Sequence, residues 1–234
     1  RRELGRRAQE RRWEESSGRG PALRLVRAAA VDRERGDSLR RAGAVEAAAV
    51  LFAIADSLLG AAEAEAPHWS EPTIQRAELA HSRMWLFLLS PAGNVAHARL
   101  TIHEGIGHAE RVLRRQATDA GALELRGVLT YWLWLTTPTD SASYARRLAA
   151  RAEADLRQVV ELAATQARAW NVLSALLYAR GAFGEAYWAA ERAYAADAYL
   201  ESVHDILVRL FNTSIESGDL AAARRWCADL DRRF

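Results

Sequence analysis

Apolar residues recur along this chain at spacings of three and four, not two. Trp170, Leu173 and Leu177 stand at i, i+3 and i+7, and Ala186, Ala190 and Ala193 at i, i+4 and i+7. Each set marks one face of a helix with about 3.6 residues per turn. Strand-like alternation with β-branched residues is nearly absent. The pattern is punctuated by "SSGRGP" (16–21), "RAGA" (41–44), "EAPHWSEP" (65–72), "LSPAGN" (89–94), "TTPTDSAS" (136–143), "ARGAFG" (179–184) and "ESGD" (216–219). These clusters of Gly, Pro, Ser, Thr, Asn and Asp are where helices stop and turns form. The reading is an all-α chain of about eight to ten helices, with loops short enough to make sequential helices antiparallel neighbours.

The order of features also repeats. In "ARAWNVLSALLYARGAFGEAYWAAERAYAADA" (167–198) a first helix carrying Trp170, Leu173 and Leu177 ends at Gly181. A second helix then presents Ala186, Ala190 and Ala193, small enough for close packing. This unit resembles the tetratricopeptide repeat (TPR). Trp170 fits the large first slot, Leu173–Ser174 the Leu-Gly pair, Leu177 the Tyr slot, Gly181 the turn and Ala198 the slot usual for Pro. In the same phase, Ala152, Leu156, Val159 and Ala164 take the second-helix slots of the preceding unit, with Gly127 in its Gly slot. Gly105, Ala109, Val112 and Ala117 take those of the unit before. Gly43, Ala48, Phe52 and Ala55 echo the turn and second helix near the start, and Gly218 with Ala223 does so near the end.

The resemblance implies an α-solenoid of antiparallel helix pairs over roughly residues 40–230. The expected organisation is a basic helical or linker segment at 1–21, a helical hairpin at 22–66, and TPR-like repeats over 67–234. The repeat units run at about 70–119, 120–166, 167–200 and 201–234. Units near 50 residues also suit HEAT-type repeats, which stay open as an alternative fold. The run from "PHWSEPTIQRAELA" through "ELRGVLTYWLWL" to "AYWAAERAYAADAYLE" is similar to repeat regions of large bacterial signalling proteins. Those proteins are Ser/Thr kinases, nucleotide cyclases and transcriptional regulators. The chain itself shows no Gly-rich phosphate loop, H-R-D or D-F-G set.

In the resembled family the first helices face a concave surface that binds peptides. By phase, that face would present Glu71, Glu78 and His81, then Glu124, Tyr131 and Trp132, then Arg168, Asn171 and Tyr178, then Asp205 and Asn212. Chaperone-binding members hold a C-terminal carboxylate in a clamp of two Lys, two Asn and an Arg. Only Asn171 has a matching slot here, and the groove reads mixed to acidic, so such a tail is not the expected ligand.

Composition refines the picture. Half of the 234 residues are hydrophobic and 26% are charged, an ordinary soluble profile. Lysine is absent, so all 32 basic residues are Arg, and the net charge is +2. Residues 1–41 hold 13 Arg against 7 acids, leaving the remainder near −4. That basic end supports an alternative reading, a nucleic-acid-associated regulator segment. The interleaved acids of "RRELGRRAQERRWEE" favour a solvated face instead, and nucleic acid is not the expected partner. Cys227 is the single cysteine and falls in a core slot of the last helix. It fits a reducing, cytoplasmic compartment. The longest apolar run, "AAAVLFAIA" (47–55), is shorter than a bilayer span. The chain starts at Arg rather than Met, as a piece of something longer would.

"HEGIGH" (103–108) raises the question of a zinc site. The zincin signature places two His at i and i+4, about 40° apart on the helix. His103 and His108 are at i and i+5, about 140° and roughly 7.5 Å apart, too far for one metal on an intact helix. The expected role is structural, with Gly105 packing inward, His103, Glu104 and His108 pointing outward, and a surface pair between Glu104 and His108. His68, His81, His97 and His204 show no ligand spacing. No catalytic residue, metal or cofactor is assigned. Most of the tryptophans, Trp69, Trp85, Trp132, Trp134, Trp170, Trp188 and Trp226, are expected in the inter-helix core. The expected function is a non-catalytic scaffold with a protein or peptide partner.

Overall fold

The computed structural model describes residues 20–89, 94–138, 141–198 and 202–234. Most of the stretch 1–21, and with it the basic "RRELGRRAQERRWEE", lies outside the described residues. The described chain is all helix and turn. The helices are α1 (Gly20–Arg41), α2 (Val45–Glu65), α3 (Glu71–Leu88), α4 (Val95–Leu113) and α5 (Ala120–Leu135). They continue with α6 (Ala142–Leu162), α7 (Ala167–Ala179), α8 (Phe183–Ala196), α9 (Val203–Glu216) and α10 (Leu220–Arg233). The breaker clusters fall at the helix boundaries, and several reach into the first turn of the helix that follows, as Pro72 does in α3. Gly20 and Pro21 belong to the first turn of α1, because a helix's first turn has no use for the missing proline N–H.

The chain divides into two compact units between Ala117 and Thr118. In the first, α1 packs on α2 and α3 on α4, while α3 also touches α1 and α2. Phe52, Leu59, Ala48, Ala55 and Ala62 of α2 close against Ala22, Val26 and Ala29 of α1 and against Leu79 and Leu86 of α3. In the second, the pairs are α5 with α6, α7 with α8 and α9 with α10. The first helices α5, α7 and α9 are consecutive neighbours, so they share one face.

Local chemistry explains the hairpins. The turns after α1, α7 and α9 each use a glycine with φ near +75°, at Gly43, Gly181 and Gly218. At Gly181 the Ala182 N–H reaches back to the Leu177 carbonyl (3.0 Å) and the Gly181 N–H to that of Tyr178 (2.9 Å). This closing satisfies the orphan carbonyls of the helix end and needs the left-handed residue that glycine supplies most easily. Asn94, Asp119 and Asp219 cap α4, α5 and α10, each side chain accepting a backbone N–H at 2.9–3.0 Å.

Pair spacing is set by small residues. Ala186, Ala189, Ala190 and Ala193 on α8 are all fully buried. At Gly127 an added Cβ would stand 2.9 Å from Leu156 Cγ and 3.3 Å from Asp155 Cβ, so α5 and α6 cross closely there. The expected small slots at Ala152, Leu156 and Val159 are buried, as are Gly105, Ala109 and Val112. The fourth slots are corrected. Ala117 and Ala164 are exposed, because α4 and α6 end before them, at Leu113 and Leu162.

Three further expectations change. Cys227 is exposed rather than in the core. The inward face of α10 runs through Ala222, Ala223 and Asp229, and Cys227 stands beside it. Among the described tryptophans only Trp170 is buried, its Nε1–H donating to the Ala164 carbonyl (2.8 Å). Trp69, Trp85, Trp132, Trp134 and Trp226 are half-buried, and Trp188 is exposed, edge-on to Trp170 at 5.0 Å. Finally, α2 is, by length and composition, long and apolar enough to cross a membrane. The nine-residue run understated this, because Asp56 and Ser57 interrupt the apolar stretch only briefly and the helix resumes with Leu58 and Leu59. Here α2 is the second helix of a hairpin, with Asp56 paired to Arg76 at 2.9 Å.

Candidate functional site

Four of the expected groove positions in the second unit gather around a residue the sequence pattern passed over. Arg209 stands on α9 one turn after Asp205 and one before Asn212. Its Nη1 donates to Asn171 Oδ1 (2.8 Å), Ser174 Oγ (2.8 Å) and the Asn171 carbonyl (3.4 Å) on α7. Asn171 Nδ2 in turn donates to Ser202 Oγ (2.6 Å) at the start of α9. Asn171 is buried, so it is the joint that fixes Arg209 between α7 and α9 rather than an open groove residue.

Tyr131 of α5, Asp205, and Tyr178 of α7 lie close enough to act on the Arg209 charge. Burial pushes the Arg209 guanidinium below its usual range, and those three groups pull the other way. Burial likewise raises Tyr131, with Arg209 opposing and Asp205 adding to the shift. Tyr131 stands edge-on to Trp132 at 5.5 Å, and Tyr178 leans on Phe183 at 5.5 Å. Asp205 is exposed, beside His204. Asn212 is half-buried on the same stripe of α9.

Glu124 and Arg168 are brought together but turned away from this use. Arg168 Nη2 donates to Glu124 Oε2 at 2.7 Å, and Glu124 is only 6% exposed. The pair braces α5 against α7. Glu124 Oε1 is buried with no hydrogen-bond partner among the described residues.

In the first unit Glu78 stands 3.9 Å from Arg33, His81 meets Trp85 edge-on at 6.4 Å, and Glu71 accepts from Gln75 (2.8 Å). A cleft of about 180 Å³ opens nearby, lined by Glu63, Trp69, Thr73, Arg111 and Arg115 among others. Its charges answer one another. Glu63 accepts from Thr73 (2.7 Å), Arg76 (3.1 Å) and Arg111 (3.1 Å), and Arg115 donates to the Pro67 carbonyl (2.8 Å). Burial alone would raise the Glu63 carboxyl, but Thr73 and the two guanidinium groups outweigh it and hold the group below its ordinary value.

The HEGIGH stretch lies in α4. His103 and Glu104 are exposed, as expected, but His108 is 8% exposed and faces inward. The reason is its phase, since Gly105, His108, Ala109 and Val112 stand at i, i+3, i+4 and i+7 on the buried face. Its Nε2 lies 3.8 Å from Glu104, and Arg111 approaches its Nδ1. His108 holds the Glu104 carboxyl below its ordinary value; burial opposes this and the Arg83 charge adds to it. Among the described residues no group of three or more His, Cys, Asp or Glu side chains is placed to hold a metal ion.

Arg209, Ser174 and Ser202 are the site residues that sequence reading missed. The signal for Arg209 was present in the stripe Asp205, Arg209, Asn212 at i, i+4 and i+7.

No family model matches this sequence. No curated protein matches it either. Solved structures do. The crystal structure of TTC0263, a thermophilic TPR protein of Thermus thermophilus, superposes with a TM-score of 0.57 at 16% identity. The match covers 87% of this chain and 90% of that one. BtubC (BKLC) from P. vanneervenii matches with a TM-score of 0.50 at 19% identity, over 93% of this chain and 88% of that one. The fold is therefore the TPR-like one, an α-solenoid of helix pairs.

Proposed function

We propose that this chain is a non-catalytic protein- or peptide-binding scaffold, and that the shared face of α5, α7 and α9 is its docking surface. The observation that carries the reading is Arg209. It is held from below by Asn171 and Ser174 and lies within electrostatic reach of Tyr131 and Tyr178. Phenol rings beside a fixed guanidinium offer apolar area with polar edges, the composition common at binding hot spots. Tyr178, Asp205 and Asn212 make the accessible rim, while Glu124, Arg168 and Asn171 support it from within. The similarity of the sequence to repeat regions of bacterial kinases, cyclases and transcriptional regulators supports a regulatory or partner-docking arm of a cytoplasmic signalling protein. Glu78 and His81 would form the corresponding face of the first unit.

The test is selection from a library of random twelve-residue peptides, followed by calorimetric titration of the strongest binder. Tyr178→Ala combined with Asn212→Ala should weaken that binder at least ten-fold while the variant keeps its helical circular-dichroism spectrum. Failure to select any peptide, or full affinity in the folded double variant, would overturn the reading.

A further inference from the structure

We infer that Arg209 seats the side-chain carboxylate of an internal Asp or Glu in the docked peptide. This rests on the reading of the α5–α7–α9 face as the docking surface, and adds the chemistry of what docks there. The Arg209 contacts among the described residues all use Nη1. Among those residues the Nε–Nη2 edge has no protein partner, and no carboxylate lies within ion-pair distance of the guanidinium. A guanidinium edge presents two parallel N–H groups, the geometry that meets both oxygens of a carboxylate. The hydroxyls of Tyr131 and Tyr178 have no protein partner among the described residues either, and both rings sit within electrostatic reach of Arg209.

Cation and hydroxyls thus combine on one face with an anion's complement left unfilled. A guanidinium partly withdrawn from water gains most from a counter-ion, because its own hydration is already reduced. Arg168, the other expected cation of this face, is engaged by the buried Glu124.

The charge also sets the kind of anion. Asp205 lies close enough to oppose a second negative charge, so the seat suits a monoanionic carboxylate better than a phosphate of charge near −2. Position favours an internal residue over a chain end. Asp205 and Asn212 continue the stripe one turn to either side of Arg209, so a bound peptide has polar positions to meet on both flanks.

The experiment uses a twelve-residue random library displayed with its C-terminus fused, so that the peptides carry no free end. The strongest binder is then synthesised with acetylated and amidated ends. The expected result is one position enriched in Asp or Glu, and an affinity drop of at least ten-fold when that residue becomes Asn or Gln. The protein is untouched in that comparison, so folding cannot confuse it. Arg209→Gln should show the same drop, and the peptide exchange should then have no further effect.

Peptides that bind through Tyr178 with no acidic requirement would overturn this inference and leave the docking face standing. No peptide binding at all would overturn both. Tighter binding when the acidic residue is replaced by phosphoserine, or by a free C-terminal carboxylate, would overturn the occupant named here.

Discussion

Asn171 accepts a hydrogen bond from Arg209 at 2.8 Å and donates one to Ser202 at 2.6 Å, so one buried amide ties α7 to both the start and the middle of α9. Removing it separates positioning from charge. Asn171→Ala should cost about 1–3 kcal/mol in urea unfolding, because Arg209 and Ser202 lose buried partners. Asn171→Asp should cost less, since a carboxylate there pairs with Arg209. That same variant should weaken acidic-peptide binding, because a carboxylate on the Nη1 side neutralises the guanidinium and repels a second anion at its open edge. A folded Asp variant with wild-type peptide affinity would show that the Arg209 charge does not hold the peptide.

Gly127 and Leu156 mark a close crossing of α5 and α6 in the second unit. An alanine Cβ would stand 2.9 Å from Leu156 Cγ, a branch point that cannot swing aside like a side-chain tip. Gly127→Ala should therefore destabilise by about 1–3 kcal/mol through overpacking, despite alanine's better helix propensity. Adding Leu156→Ala removes the clashing atoms. Thermal melts of the two single variants and the double should give a double-mutant cost well below the sum. Additive costs would place the strain elsewhere.

Glu63 links acid stability to the first unit. Its carboxyl is held below the ordinary value in the folded chain, despite burial, by Thr73, Arg111 and Arg76. A depressed folded pKa means stabilisation that is full above the unfolded value and lost as pH falls through the folded one. Urea midpoints should therefore fall for the wild type as pH drops below about 4.3, the ordinary glutamate value. Glu63→Gln should be less stable at pH 7 and should lose less on acidification. Parallel curves for the two proteins would remove Glu63 from the acid transition.

The helix punctuation was legible because it is local chemistry. Gly43, Gly181 and Gly218 each mark a turn, and the alanines of α8 mark a close helix crossing. What was not legible is which flank of a helix is covered. The repeat phase puts Gly105 inward and His108 outward, yet His108 stands three residues from Gly105, and the packed face is wide enough to include it. Arg209 was passed over because pattern reading treats an Arg on a helix as solvated. Only the neighbouring helix reveals that Asn171 and Ser174 hold it. Glu124 and Asn171 have groove phase but are buried by partners far away in sequence, Arg168 at 44 residues and Ser202 at 31. Periodicity carries no information about such pairs.

Cys227 gives a direct check on the register of α10. The sequence pattern places it in a core slot, but the buried face runs through Ala222, Ala223 and Asp229, with Trp226 half-buried against Tyr194 at 5.6 Å. Asp229 accepts from the Tyr194 hydroxyl at 2.6 Å, which fixes the rotation of the helix and leaves Cys227 in solvent. The folded chain should therefore react with one equivalent of a thiol reagent without denaturant, at nearly the rate of the chain unfolded in urea. Cys227→Ser should change stability by no more than about 0.5 kcal/mol, as for an exposed site. In that cysteine-free background, Ala223→Cys should label slowly and only through opening of the last helix pair. Fast labelling at 223 with protection at 227 would mean that α10 presents a different face to its neighbours.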